Sequence, residues 1–349
     1  MAGPPKQQPP AAGGAAGAAR ACAAGGGLRA ALHARVLAPL ACSCFVGSIV
    51  LSALLCHAAV ALIFLWPARA AGWTLLAALA ALALAPIGEP PAWAAAAIAY
   101  SCGAAADYFQ ARVVFEDEGA LRADKPYVIA LEPHSALPTA VPVVFGTRSV
   151  LLPESLCGRT HGLVSSVCFK VPLVRQLYRW WGFRPITRAS MRRLLARGRA
   201  VVLVPGGVQE CLVMEHEGTE VAFLRKRKGF IRVAMQCGAD VVPVFAFGQT
   251  QTYGWLRPGP PLVSEGAVKA MSRTIGMVPL LLLGRWGTPI PHPARLTVVV
   301  GAPLQLPQHD APPEELVQGY LDKYISDLEA LFERNKAAAG HKSLVLRVL

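Results

Sequence analysis

YVIALEPHSALPTA, residues Tyr127 to Ala140, starts as an apolar run and stops abruptly at Glu132-Pro133-His134-Ser135. The run Tyr127 to Leu131 suits a strand covered on both faces. A strand ending in a polar turn delivers an imidazole to a sheet edge, where α/β proteins keep their chemistry. Alone, the turn reads more readily as a surface loop with a solvated His. The rest of the chain decides between the two.

Downstream, short β-runs alternate with amphipathic helices. Strands are expected at Ser149–Leu152, Ala200–Val204, Val241–Phe247 and Leu296–Val300, and helices at Ser190–Arg197, Arg227–Cys237 and Pro313–Asn335. The last helix is the clearest. Pro313 suits a first turn, Glu314 and Glu315 follow, and apolar residues recur from Leu316 to Phe332 at helical spacing. The pattern predicts an α/β domain with a mostly apolar central sheet flanked by helices.

Upstream, residues 1–35 are rich in Ala, Gly and Pro and are expected to be disordered. Their acid-free, Arg-bearing composition also resembles a transit peptide. Val36 to Trp66 carries no Asp, Glu, Lys or Arg, and Ala70 to Ile87 is a second apolar run. The first exceeds the ~20 residues that cross a bilayer, and the second is near the lower limit. They read as an N-terminal transmembrane helical hairpin, with a re-entrant second segment as the alternative. Ala92–Ala106, with Trp93 and Tyr100, is expected at the membrane interface. Residues 36–106 thus form a membrane part and 107–349 a cytosolic domain. Arg20, Arg29 and Arg35 favour a cytosolic N-terminus.

Composition agrees. Hydrophobic residues make up 54% of 349, and the net charge is +13. Such a balance suits an anionic membrane face or a polyphosphate ligand. The basic stretches lack the aromatic interleaving of a nucleic-acid site. The nine cysteines form no Cys-x-x-Cys pair and read as reduced, packed thiols.

Three further stretches look unlike packing. Gly182 to Arg188 ends in Arg just before a helix. In Val204 to Glu210, Gly206 and Gly207 bend the chain after a buried strand, and Glu210 falls at the sheet edge of His134. Arg225-Lys226-Arg227-Lys228-Gly229 sets four cations at a helix start, a costly placement unless a polyanion arrives. G-x-S-x-G, G-x-x-x-x-G-K-[ST] and H-E-x-x-H motifs do not occur.

These segments together resemble the type 2 diacylglycerol acyltransferase family. They are the Glu-Pro-His-Ser turn in its plant and algal form, Pro185 to Arg188, Pro205 to Glu210, residues 225–250, and Gly301 to Leu304. The similarity runs from about Lys125 to Leu349. It implies acyl transfer from acyl-CoA, as co-substrate, to the hydroxyl of diacylglycerol, with no metal or cofactor. It also implies His134 as general base, with Glu210 preferred over Glu132 as its partner. Related glycerolipid acyltransferases place an acid five residues after the His; here that position is Thr139. Substrate contacts are expected from Pro133, Ser135, Arg188, Gly206, Gly207, Arg225, Arg227, Lys228 and Gly229. The resemblance places the protein in the endoplasmic reticulum membrane, with lipid droplet and plastid envelope open. Leu344 to Val348 reads as a retrieval signal. Monoacylglycerol, a fatty alcohol or a sterol are alternative acceptors, and a non-catalytic lipid-binding protein is the alternative of another class. Homo-oligomerisation stays open.

Overall fold

The computed structural model describes residues 32–65, 69–215 and 218–349. The disordered segment and transit peptide expected at the N-terminus fall almost wholly outside these residues. A π-helical turn, His33–Leu37, leads into three helices, α1 (Ala38–Leu65), α2 (Arg69–Leu84) and α3 (Ala92–Tyr108). There follow β1 (Arg112–Phe115), β2 (Tyr127–Glu132), α4 (Ala140–Val144), β3 (Thr160–Val164), α5 (Val174–Trp180), β4 (Arg184–Pro185) and α6 (Arg188–Leu195). The middle of the domain is β5 (Ala200–Leu203), α7 (Gly207–Cys211), β6 (Thr219–Ala222), α8 (Gly229–Gln236) and β7 (Asp240–Phe247). The chain closes with β8 (Gly254–Leu256), α9 (Glu265–Ile275), β9 (Leu281–Leu283), β10 (Thr297–Val300), α10 (Glu314–Asn335) and β11 (Val345–Val348).

Seven strands form one sheet in the order β1-β10-β7-β2-β5-β3-β4. Every pairing is parallel except β10 with β7. The quoted strand, β2, is therefore central, and all six of its residues are buried. Its side chains alternate between two apolar layers. Tyr127, Ile129 and Leu131 pack with Ile98, Cys102 and Ala105 of α3. Val128 and Ala130 join the layer that holds Met191 of α6, Phe230 of α8 and Leu328 of α10. Helices on both faces explain why the strands are apolar without alternation.

The expected strand Ser149–Leu152 is not formed. There the Ser149 hydroxyl donates to Val143 O at 3.1 Å and accepts from Leu151 N–H at 3.2 Å, a local turn that replaces ladder bonds. The segment expected as a retrieval signal contains β11, and Val345–Val348 pairs in parallel with β6.

The apolar helices touch the domain. In α1, Cys44–Leu65 is long and apolar enough to cross a membrane, 22 residues or about 33 Å. Helix α2 has 16 residues. A Cβ on Gly72 would lie 2.9 Å from Ala59 O and 2.7 Å from the Ile63 side chain, so α1 and α2 approach closely. Phe45 packs on Trp181 with ring centroids 4.5 Å apart. Arg175 donates to Leu82 O at 2.7 Å and Ala85 O at 2.8 Å, satisfying carbonyls at the end of α2. The segment expected at a membrane interface divides in two: Trp93 is exposed, whereas Cys102 to Ala106 is buried in the domain.

Candidate active site

Because β5, β2 and β7 are parallel neighbours, their C-terminal ends meet at one edge. The chain leaves β2 for β3 on one side of the sheet and later reaches β7 on the other. The crevice beyond β2 is thus a topological switch point. Three polar segments converge there: Glu132 to Ser135 after β2, Gly206 to Cys211 after β5, and Gln249 to Thr252 after β7.

His134 is half-buried. Its Nδ1 lies 2.9 Å from Ser135 O and 3.1 Å from Cys211 Sγ. A carbonyl oxygen only accepts, so the Ser135 contact requires the proton on Nδ1 and leaves Nε2 with the lone pair in the neutral ring. Ser135 reaches this position with φ at 49°, a region uncommon for a residue with a side chain, and its hydroxyl donates to Leu137 O at 3.1 Å.

Glu210 does come beside His134, but the expected pairing with the imidazole is not formed. Its Oε1 accepts from the backbone N–H of His134, and its Oε2 accepts from Phe223 N–H at 3.3 Å. Glu132 points along the same buried edge, where its Oε1 accepts from Gly206 N–H at 3.3 Å. As a carboxylate, Glu132 Oε2 would have no donor. Protonated, it donates to Glu210. Burial first, and the neighbouring Glu210 charge second, hold Glu132 well above the usual carboxyl range. Burial also raises Glu210, against the bonds from Glu132, His134 and Phe223. Both carboxyls are therefore held above their ordinary range, Glu132 the more strongly. Burial alone would pull the His134 ring down. Cys211, Glu210 and the Ser135 carbonyl outweigh it and push the ring up to about 9.

The Gly206 amide is engaged by Glu132, so the substrate contact expected there gives way to an internal bond. Gly207, at φ 51°, has open space where a Cβ would stand. The four cations separate. Arg227 turns inward, donating to Gly206 O at 2.9 Å with its guanidinium over the Phe223 ring. Lys228 pairs with Glu314 at 2.7 Å, which answers the electrostatic cost at the start of α8 without an outside anion. Arg225, Lys226, Gly229 and Arg188 are exposed. Pro133 is buried, and its carbonyl accepts from Gln249 Nε2.

Gln249 is a residue that sequence reasoning passed over. Fully buried, it also accepts from Ala140 N–H at 2.8 Å, so one carboxamide clamps both ends of the loop that carries His134. Its signals were its place in the 225–250 stretch that carries the resemblance and its position just past the end of an apolar strand parallel to β2. An apolar cavity of about 20 Å³ lies between Cys42 and Phe45 of α1 and Leu137 and Thr139 of that loop. A larger one, about 710 Å³, opens beside α10 around Gly301, Tyr320 and Arg334, and its walls include none of the His134 segments.

The sequence model of the diacylglycerol acyltransferase family matches residues 92–348. The chain is 32% identical over 243 residues to diacylglycerol O-acyltransferase 2-like protein 6 of Mus musculus, covering 64% of this chain and 70% of that protein. It is 28% identical over 260 residues to diacylglycerol O-acyltransferase 2 of Xenopus tropicalis, covering 70% of each. With acyl-CoA wax alcohol acyltransferase 2 of Mus musculus the identity is 30% over 244 residues, 67% of this chain and 72% of that one.

Proposed function

The chain belongs to the diacylglycerol acyltransferase family, and on that premise we propose that it moves a fatty acyl group from acyl-CoA to the free hydroxyl of diacylglycerol, forming triacylglycerol, with His134 as general base. The observation that carries the residue assignment is the 2.9 Å contact of His134 Nδ1 with Ser135 O, which leaves Nε2 as the basic nitrogen.

An alcohol is a poor nucleophile at neutral pH. Nε2 takes the hydroxyl proton as the oxygen attacks the thioester carbonyl carbon. The C–S bond then breaks, and the proton passes from the ring to the departing CoA thiolate. Glu210 fixes the backbone that carries the ring, Glu132 and Arg227 fix Glu210 and Gly206, and Gln249 fixes the rest of the loop. The oxyanion and the CoA phosphates are assigned to Gly207 and to the exposed cations Arg225 and Arg188. Pro133, Ser135, Gly206, Arg227 and Lys228, each engaged within the protein, act as scaffold around them, and exposed Gly229 stays with the substrate contacts.

Diacylglycerol and its product are apolar, so the acceptor side faces α1 and the small apolar cavity behind Leu137. Helices α1 and α2 anchor the protein in the endoplasmic reticulum membrane, with the α/β domain in the cytosol. The deciding experiment supplies radiolabelled acyl-CoA to microsomes of triacylglycerol-deficient cells, with diacylglycerol, monoacylglycerol and fatty alcohol offered in parallel. Triacylglycerol should form, and His134→Ala should abolish it at unchanged protein level. Exclusive use of another acceptor overturns the substrate, and an active His134→Ala overturns the base.

A further inference from the structure

Neither carboxylate at the site reaches the ring of His134. Glu210 is held by two backbone amides and Glu132 by Gly206 N–H. Thr139 lies where related acyltransferases keep an acid, and its hydroxyl is engaged by Leu137 O at 3.3 Å and Thr252 at 2.9 Å. The side chain that does reach Nδ1 is Cys211. Its Sγ lies 3.1 Å from Nδ1 and 3.5 Å from Ser135 O, so sulfur, ring nitrogen and carbonyl close a triangle.

We propose that Cys211 is a positioning residue for the base: its sulfur shares the Nδ1 proton of His134 with the Ser135 carbonyl and so fixes the ring tautomer and orientation that leave Nε2 free. The geometry separates this role from that of a nucleophile. A nitrogen whose proton is directed at a carbonyl does not also take a proton from a thiol. Cys211 is only 4% exposed, whereas a nucleophile must meet the thioester carbon. The sulfur stands where a triad places its orienting acid, and such a group acts through the base.

The inference rests on His134 being the base. Its test uses the full chain in microsomes and compares the wild type with Cys211→Ala, Cys211→Ser and His134→Ala across pH. Glu210 is the other charged group acting on the ring, with Glu132 and Arg227 next to it, and the Cys211 variants leave all three in place. Cys211→Ala should lower the high-pH plateau of kcat about tenfold, with both KM values within about twofold. Its acid limb should move to lower pH, because a partner that stabilises the protonated ring is gone. Cys211→Ser should recover most of the plateau and return the limb towards the wild-type pH, since the hydroxyl oxygen accepts the same proton. An unmoved limb or a wild-type plateau in Cys211→Ala, or a Cys211→Ser no better than Cys211→Ala, overturns the proposal. If Cys211→Ala does not accumulate, Cys211→Val, which fills the space without an acceptor, takes its place. Wild-type protein given labelled acyl-CoA without acceptor should carry no hydroxylamine-labile acyl group. A label lost in Cys211→Ser would make the thiol a nucleophile and overturn positioning. An active His134→Ala sinks the base itself, whatever Cys211 does.

Discussion

Glu210 accepts a hydrogen bond from the backbone N–H of His134 and leaves the imidazole to other partners. Its work is on the loop, and burial beside it holds the Glu132 carboxyl well above the usual range, so that Glu132, protonated, is the donor of the pair. Glu132→Gln is therefore expected to be mild. The carboxamide oxygen accepts from Gly206 N–H and the NH2 donates to Glu210, so activity should stay within about threefold of wild type. Glu210→Gln offers one acceptor oxygen to two amides, those of His134 and Phe223. It should cost roughly 1–3 kcal/mol of stability and lower kcat about tenfold. Thermal unfolding and turnover, measured side by side, check both; equal effects of the two substitutions would contradict the assignment of the proton to Glu132.

The ring of His134 is pushed up to about 9 by Cys211, Glu210 and the Ser135 carbonyl acting against burial. A general base works only when deprotonated, so kcat/KM should climb from pH 7 towards pH 9. Below the pKa the slope approaches tenfold per pH unit. A rate already flat between pH 6 and 8 would mean that His134 titrates elsewhere or is not the base.

The central strand, the three long helical patterns and the apolar N-terminal runs were legible because each carries an unbroken apolar or periodic signal. Thr160–Val164 was not. It contains His161 and Gly162, and Gly162 is there because a Cβ would meet the Phe183 ring at 2.6 Å. Strand pairing through space sets that residue, and no local pattern announces it. The same holds at the site. His134 and Glu210 could be placed at one edge from strand order alone. Which atom of His134 each partner would touch depends on the turn at Ser135, whose φ of 49° no composition rule foretells. Cys211 was visible only as the neighbour of Glu210, and its approach to Nδ1 joins residues 77 apart in the chain.

The two glycines of the turn after β5 differ in what surrounds them. A Cβ on Gly206 would stand 2.0 Å from Glu210 Oε2, and that carboxylate is held by two amides. Gly206→Ala should displace Glu210 and lower kcat more than tenfold. Gly207 has nothing within reach, and an Ala there bears only the positive φ, a strain of about 1 kcal/mol. Turnover of the two variants in parallel should differ accordingly, and the reverse order would place the functional constraint at Gly207.

Gln249 satisfies Pro133 O and Ala140 N–H from one buried carboxamide. Gln249→Ala leaves both backbone groups without that partner, at roughly 1–3 kcal/mol each before relaxation. The loss should fall on the loop that carries His134. Hydrogen exchange at Ala140 should accelerate and kcat should drop, while helix α10 keeps its protection. Uniform loss of protection across the sheet would show Gln249 to be a general core residue.

Glu220 of β6 gives the pH dependence of stability a definite sign. Burial pushes its carboxyl up to about 7, with Glu210 adding to the rise and the Thr250 hydroxyl opposing it. The folded state thus holds this proton more tightly than the unfolded chain, whose value is near 4.5. The stabilisation is complete below pH 4.5 and is lost as pH rises through 7, by up to about 3 kcal/mol. Glu220→Gln removes the titration and keeps an oxygen for the Thr250 hydroxyl. Its unfolding midpoint should match the wild type at pH 4.5 and exceed it at pH 8. A difference that does not change between those two pH values would show that the Glu220 carboxylate is as comfortable in the fold as in water, and that β6 owes nothing to its protonation.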